Sequence, residues 1–207
     1  MKTFLKAVAP LFLASTPAGA TTLADVERAF AATATMTADF AQTAANGQVA
    51  RGTMALKRPG RIRFNYAGKT PYLVVSNGST LSFVDYQVSQ VSQWPVRSTP
   101  LGVLLDPKAD LARVARVLPD AQSPLPGQVA VLAEDPKKPD LGRIVFFLAP
   151  DKASPGGLRL TGWRVTDAQN NLTTVQLSNI RTNIAIADSG FGFKDPRQKA
   201  RPPGKAG

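Results

Sequence analysis

The chain has 207 residues, 25 of them Lys or Arg against 14 Asp or Glu, a formal net charge of +11, and neither cysteine nor histidine. Without those two residue types, Ser-His-Asp and Cys-His nucleophiles, disulfides and the usual zinc sites are excluded. The acidic residues are scattered beside turn residues and assemble no catalytic or metal-binding set. Carboxylate-only or Ser-Lys chemistry stays formally open, but the expectation is a protein that is not an enzyme and needs no cofactor or metal.

Lys2 and Lys6 precede a short apolar stretch, Ala7 to Leu13, and Ala18-Gly19-Ala20 supplies a small-x-small cleavage site. That layout is a secretory signal peptide over residues 1–20, too short in its apolar run to span a bilayer. Removing Lys2 and Lys6 takes the 25 basic residues to 23 against 14 acidic ones, a net charge of +9 on the mature chain. Export argues against nucleic acid as the partner of this charge, and no recognition helix or RNA-binding aromatic signature is present. No cysteine follows the signal, so one core must hold the exported domain without disulfides.

Thr22 and Asp25 have capping-box spacing, and Leu23, Val26 and Phe30 stripe one side of a helix that fades near Thr33. The period then changes to two. Met36, Ala38 and Phe40 alternate with Thr35, Thr37 and Asp39, as in a half-buried strand, and Asn46-Gly47 turns the chain. The return strand, residues 48–58, puts Met54 and Leu56 on one face and Arg51, Thr53 and Lys57 on the other. After Pro59-Gly60, Ile62, Phe64 and Tyr66 alternate with Arg61, Arg63 and Asn65. Further strands follow over residues 72–76, through Leu81 and Phe83, and over 88–94, with Asn77-Gly78 as a second hairpin turn.

Thr99-Pro100 reads as an N-cap followed by proline at the first helical position, opening a short helix with Leu101, Leu104 and Leu105 on one side. A second short helix fits residues 109–118, with Leu111, Val114 and Leu118 on one face. Strands resume at 128–134, 142–148, 158–166 and 172–180, with a last one near 183–187. Residues 194–207 carry five basic residues, one acid and three prolines, and read as a disordered tail. Runs of strands with segregated helices make an α+β domain over residues 21–193, its helices covering one face of an antiparallel sheet of about eleven strands.

By strand parity Arg58 points to the same apolar face as Met54 and Leu56, where an arginine is costly unless its donors find acceptors. The alternative is that the strand ends at Arg58 and the side chain reaches water. The inward apolar set is Met36, Phe40, Met54, Leu56, Ile62, Phe64, Tyr66, Val75, Leu81 and Phe83. Parity does not separate packed core from cavity wall; two flexible methionines and lid-like helices favour a cavity. The basic rim (Lys57, Arg58, Arg61, Arg63) and the tail serve solubility, or a weak approach to anionic lipid or an acidic protein surface.

An ordered set of short motifs carries a resemblance: Phe40-Ala41-Gln42, Gly52-Thr53-Met54, Lys57-Arg58-Pro59, Arg63-Phe64-Asn65-Tyr66, Ser76-Asn77-Gly78, Val88-Ser89-Gln90-Val91, Thr99-Pro100 and Phe191-Gly192-Phe193-Lys194-Asp195-Pro196-Arg197. In order and spacing the chain resembles the LolA-like outer-membrane lipoprotein carriers, over essentially the whole mature length. It departs at Ser76-Asn77-Gly78, where Asp-Gly is more usual, and at Arg61, where an apolar residue can stand. The resemblance implies an unclosed half β-barrel with a lid made of Leu23, Val26, Phe30, Leu101, Leu104 and Leu105. It implies a periplasmic, monomeric chaperone that takes lipoproteins by their acyl chains from an inner-membrane ABC transporter. Delivery would be to an outer-membrane acceptor, or to the outer membrane directly. It also implies that Arg58 reaches lid carbonyls in the closed state and governs ligand release. A carrier or sensor of another lipid or glycolipid, built on the same fold, is the alternative.

Overall fold

The computed structural model describes residues 20–99, 101–106, 110–135 and 137–197. The expected signal peptide and most of the expected tail lie outside the described residues. So do Pro100 and residues 107–109.

Helix α1 (Leu23–Ala32) begins as the sequence requires. The Thr22 hydroxyl accepts from the Asp25 amide, while the Asp25 carboxylate takes the Thr22 N–H, completing a capping box. Val26, Ala29 and Phe30 form its buried side. Six strands follow as a meander: β1 (Thr35–Thr43), β2 (Val49–Lys57), β3 (Arg61–Tyr66), β4 (Tyr72–Asn77), β5 (Thr80–Asp85) and β6 (Gln90–Pro95). Two one-turn helices, α2 (Gly102–Leu105) and α3 (Leu111–Val114), lead into β7 (Ala115–Val117), β8 (Val129–Glu134), β9 (Arg143–Pro150), β10 (Leu158–Thr166) and β11 (Leu172–Thr182).

All eleven strands form one antiparallel sheet in the order β6-β5-β4-β3-β2-β1-β11-β10-β9-β8-β7. The end strands β6 and β7 do not pair, so the barrel is unclosed. Curling is evident in the main core, where Leu81 of β5 and Val131 of β8 belong to one cluster although they sit near opposite ends of the sheet. Twist accumulated over this many strands brings the ends around α1 and α2. Among the described residues, no helix is long and apolar enough to cross a membrane.

Three expectations need correction. Helix 109–118 shrinks to Leu111–Val114, because Ala115–Val117 pairs with β8, Ala115 opposite Ala133 and Val117 opposite Val131. Ladder hydrogen bonds at an open sheet edge outweigh a short helix containing β-branched residues. The strand near 183–187 does not form: Asn183 adopts φ +54 and leaves the extended region. Thr99 does not cap α2 with its side chain; its hydroxyl donates to the Val96 carbonyl at 2.7 Å.

Beyond Asn183 the chain crosses to the outer face of the sheet. Phe191 is buried there with Leu73, Val75 and Val84, beside Ile186 and Phe193. The rim cations hold this segment. Lys57 Nζ bonds the Ile186 carbonyl at 2.8 Å and the Asp188 carboxylate at 2.6 Å, and Arg63 Nη1 bonds the Gly192 carbonyl at 2.7 Å. Arg61 lies 3.8 Å from Asp188.

Candidate functional site

The inner face of the sheet is an apolar surface covered by two helices. From β1, β2 and β3 come Met36, Phe40, Met54, Leu56, Ile62 and Phe64, all buried. Tyr66, partly buried, joins them, and its hydroxyl donates to Gln42 Oε1 at 2.9 Å. Burial raises the Tyr66 pKa above its ordinary 10. Phe40 packs edge-on against Phe64 and Tyr66, each at 5.2 Å between ring centres. Leu81 closes this side, and Phe83, opposite Val74 and half-buried, lies 5.5 Å from the Tyr72 ring.

Val75 does not join the set. The β3–β4 register sets Val75 opposite Arg63, on the outer face beneath Phe191, and Val74 opposite Phe64 on the inner one. Leu73-Val74-Val75 is apolar on both sides of the strand, so alternation could not choose between them.

The other half of the inner face comes from β8 to β11: Val131, Ile144, Phe146, Leu148, Leu160, Trp163 and Val175. None of these was picked out from the sequence. Phe146 meets Phe30 of α1 at 5.5 Å, and Trp163 meets Phe64 across the barrel at 6.1 Å. Of the expected lid residues, Val26, Phe30, Leu104 and Leu105 are buried in this core, and Leu23 and Leu101 pack against its edge. With the lid in place the space left between α1, α2 and the sheet is about 20 Å³, bordered by Phe30, Met36, Leu56, Leu104 and Leu160. That is room for about one water molecule.

Arg58 lies at the border of this space, one residue past β2, and joins the two lid helices. Its Nε and Nη2 donate to the Leu104 carbonyl at 2.9 and 2.8 Å. Its Nη1 donates to the carbonyls of Phe30 and Thr33. These acceptors sit at the C-terminal ends of α2 and α1, where the helix field favours a cation; the Phe30 carbonyl also accepts from the Thr33 N–H at 3.2 Å. Neither helix carries a basic residue in its own last turn, so Arg58 supplies that charge from the sheet. The guanidinium carbon also stands 5.4 Å from the centre of the Phe30 ring. Burial pulls the Arg58 pKa down to about 10, which leaves the group charged at neutral pH.

The turn that presents Arg58 is itself pinned. Gly60 N–H donates to the Leu105 carbonyl at 3.0 Å, adding a contact to α2. Ser76 Oγ, fully buried, donates to the Gly60 carbonyl at 2.6 Å and accepts from the Gly78 amide at 3.2 Å. Gly60 is required: its φ is +73, and a Cβ there would lie 2.0 Å from the Gly78 oxygen. Asn183 completes the closure of α1, donating from Nδ2 to the Ala32 carbonyl at 2.9 Å. Ser76 and Asn183 were both legible as polar residues, but only as turn or strand-end residues and not as supports of the lid.

The described residues contain no group of three acidic or metal-ligating side chains able to hold an ion. The site is therefore a covered apolar surface with a charged fastening.

Residues 31–194 match the family described as outer membrane lipoprotein carrier protein LolA. A protein named outer-membrane lipoprotein carrier protein from Chromobacterium violaceum is 29% identical over 187 residues, covering 87% of each chain. One of the same name from Bordetella avium is 29% identical over 204 residues, covering 93% of this chain and 92% of the other. Among solved structures, a LolA superfamily protein from Nitrosomonas europaea aligns with a TM-score of 0.43 at 11% identity, covering 84% of this chain and 99% of that one.

Proposed function

Because this chain belongs to the outer membrane lipoprotein carrier protein (LolA) family, a family of carriers rather than enzymes, we propose that it shields the acyl chains of lipoproteins between its lid and the inner face of its half-barrel. It receives them from an inner-membrane ABC transporter and carries them through the periplasm to the outer membrane. The observation that carries this reading is Arg58 joined to the carbonyls of both lid helices over an apolar surface.

With about 20 Å³ free, the closed form holds no acyl chain, so loading displaces α1 and α2 from the sheet. The apolar surface of Phe30, Leu104 and Leu105 is then exchanged for acyl surface. Three chains of about sixteen carbons, at about 0.8 kcal/mol per buried CH₂, represent roughly 35 kcal/mol of transfer from water. Donor and acceptor membranes offer the same burial, so the net exchange is close to balanced. A fastening of a few charge-assisted hydrogen bonds, each about 1.5–3 kcal/mol, is of the size that decides direction. Arg58 stabilises the empty closed lid, and release of cargo is coupled to its re-formation.

The test is Arg58→Leu, whose side chain still packs but cannot donate. The variant should accept lipoprotein from transporter-bearing membranes and fail to pass it to outer membranes. Transfer at the wild-type rate would refute the role of Arg58. Mass spectrometry of the intact protein from periplasm checks the cargo: a bound acylated protein supports the carrier, and free lipid alone argues against it.

A further inference from the structure

A second, larger recess lies on the outer face of the sheet, away from the lid. Its volume is about 800 Å³, in the range of about 300–1,000 Å³ typical of ligand sites. One row of residues in register crosses it: Arg51 opposite Ala41, Ala41 opposite Gln176, Gln176 opposite Gly162, and Gly162 opposite Phe147. Ala41 and Gly162 keep the floor low. A Cβ at Gly162 would lie 2.3 Å from the Val175 oxygen, so the row cannot fill in there. Leu125, from the β7–β8 connection, forms a wall, with Gln128 bonded to Thr161 at its base.

The charges are what make this recess a site. Among the described residues neither Arg51 nor Arg164 has a carboxylate partner, although both line the recess. Arg164 Nε is shielded from solvent with no acceptor, and its guanidinium carbon stands 5.9 Å from the centre of the Phe147 ring. Nε is closed to water and so to an incoming ligand; a carboxylate in the recess would be met by the rest of the Arg164 guanidinium, which lines it. Asp39 lines the same recess and accepts from Asn179 Nδ2 at 2.6 Å. The phosphate oxygens of a headgroup offer Asp39 no donor. A peptide offers a carboxylate to the arginines and N–H donors to Asp39, Ser178 and Gln176. Five strands at about 4.8 Å spacing span about 19 Å, the length of about six extended residues.

We propose that this outer recess binds an extended acidic peptide segment of a partner protein, its carboxylates meeting Arg164 and Arg51. The readout uses no acylated ligand, so it stands or falls separately from the lid. The test is anisotropy of a fluorescein-labelled peptide of alternating Glu and Ser against the mature protein. Saturable binding is expected, weakened about tenfold when Glu is replaced by Gln in the peptide, and about tenfold by Arg164→Gln. Arg51→Gln, at an exposed position, should weaken it as well, and Lys138→Gln, at an exposed cation of the β8–β9 connection outside the recess lining, should not. No saturable binding overturns the proposal. So do equal losses in Lys138→Gln and Arg51→Gln, which would mean attraction to net charge alone. Displacement of the peptide by anionic phospholipid vesicles, from wild type and not from Arg51→Gln, would assign the recess to headgroups instead.

Discussion

Arg58 donates from both Nε and Nη2 to the one carbonyl oxygen of Leu104, at 2.9 and 2.8 Å. The planar fork thus grips α2 with one edge while Nη1 holds α1. Arg58→Lys keeps the charge but not the fork, and cannot reach both helices in one geometry. We expect amide exchange in α1 to accelerate and cargo release to slow, with a loss of about 1.5–3 kcal/mol for the broken charged hydrogen bonds.

The same group sets the pH response. Burial depresses the folded-state pKa from the ordinary guanidinium range to about 10, which still lies above neutrality. Arg58 is protonated in the open and closed states alike below that value. Lid opening, followed by α1 amide exchange or a solvatochromic acyl probe, should therefore be flat between about pH 6 and 8.

Gly156 marks where the lid helix rests on the β9–β10 connection. A Cβ there would lie 2.5 Å from Ala29 Cα, and its φ of +69 disfavours any side chain. Gly156→Ala should push α1 off the sheet without touching Arg58. Binding of an environment-sensitive apolar dye should rise, and Tm should fall by an amount corresponding to about 1–3 kcal/mol.

Ser76→Ala leaves the Gly60 carbonyl without its buried donor and the Gly78 amide without its acceptor. A cost of about 1–3 kcal/mol is expected by chemical denaturation. Because the Pro59-Gly60 turn carries both Arg58 and the bond to Leu105, cargo release should weaken too. Loss of stability with unaltered release would show that the turn holds its shape without Ser76.

Asp188 fastens the C-terminal segment to the rim. Its hydrogen bond from Lys57, with the charge of Arg61, holds its pKa below the ordinary 3.8. A carboxyl with a depressed folded pKa contributes stability above its unfolded value and loses it as pH falls through the folded one. The segment should thus resist proteolysis at pH 7 and become susceptible to pepsin below about pH 3.8. Asp188→Asn should give the same susceptibility at neutral pH with a broad-specificity protease.

Alternation made β1, β2 and β3 readable, since Met36, Phe40, Met54, Leu56, Ile62 and Phe64 each sit between polar residues or alanines that face outward. The Thr22–Asp25 box and the asparagine-glycine turns were equally plain, because their signals are local. The far half of the inner face was not, for a physical reason. Ile144-Val145-Phe146-Phe147-Leu148 is apolar on both faces, and only the sheet order shows that Phe146 faces α1 while Phe147 faces Arg164. Ala115–Val117 became a strand because an open edge of β8 was there to receive it, which is a tertiary fact. Arg58 was legible from parity as an arginine on an apolar face, but its acceptors come from residues 25, 28 and 46 positions away.

The sheet order has a consequence for how the chain acquires its shape. Strands β1 to β6 are joined by successive hairpins, as are β7 to β11, and these two halves meet at one seam, β1 against β11. There Met36 stands opposite Thr182, the largest sequence separation of any strand pairing in the sheet. Closing that seam carries the greatest chain-entropy cost, so each meander can form early and the joining of the two is the slow step. Until the C-terminal strand is available to pair, β1 presents an unpaired edge. The α1 carbonyl that Asn183 must cap is likewise without its partner. On this ordering the lid is the last element to be secured, and a chain cut before Asn183 would leave α1 without that cap.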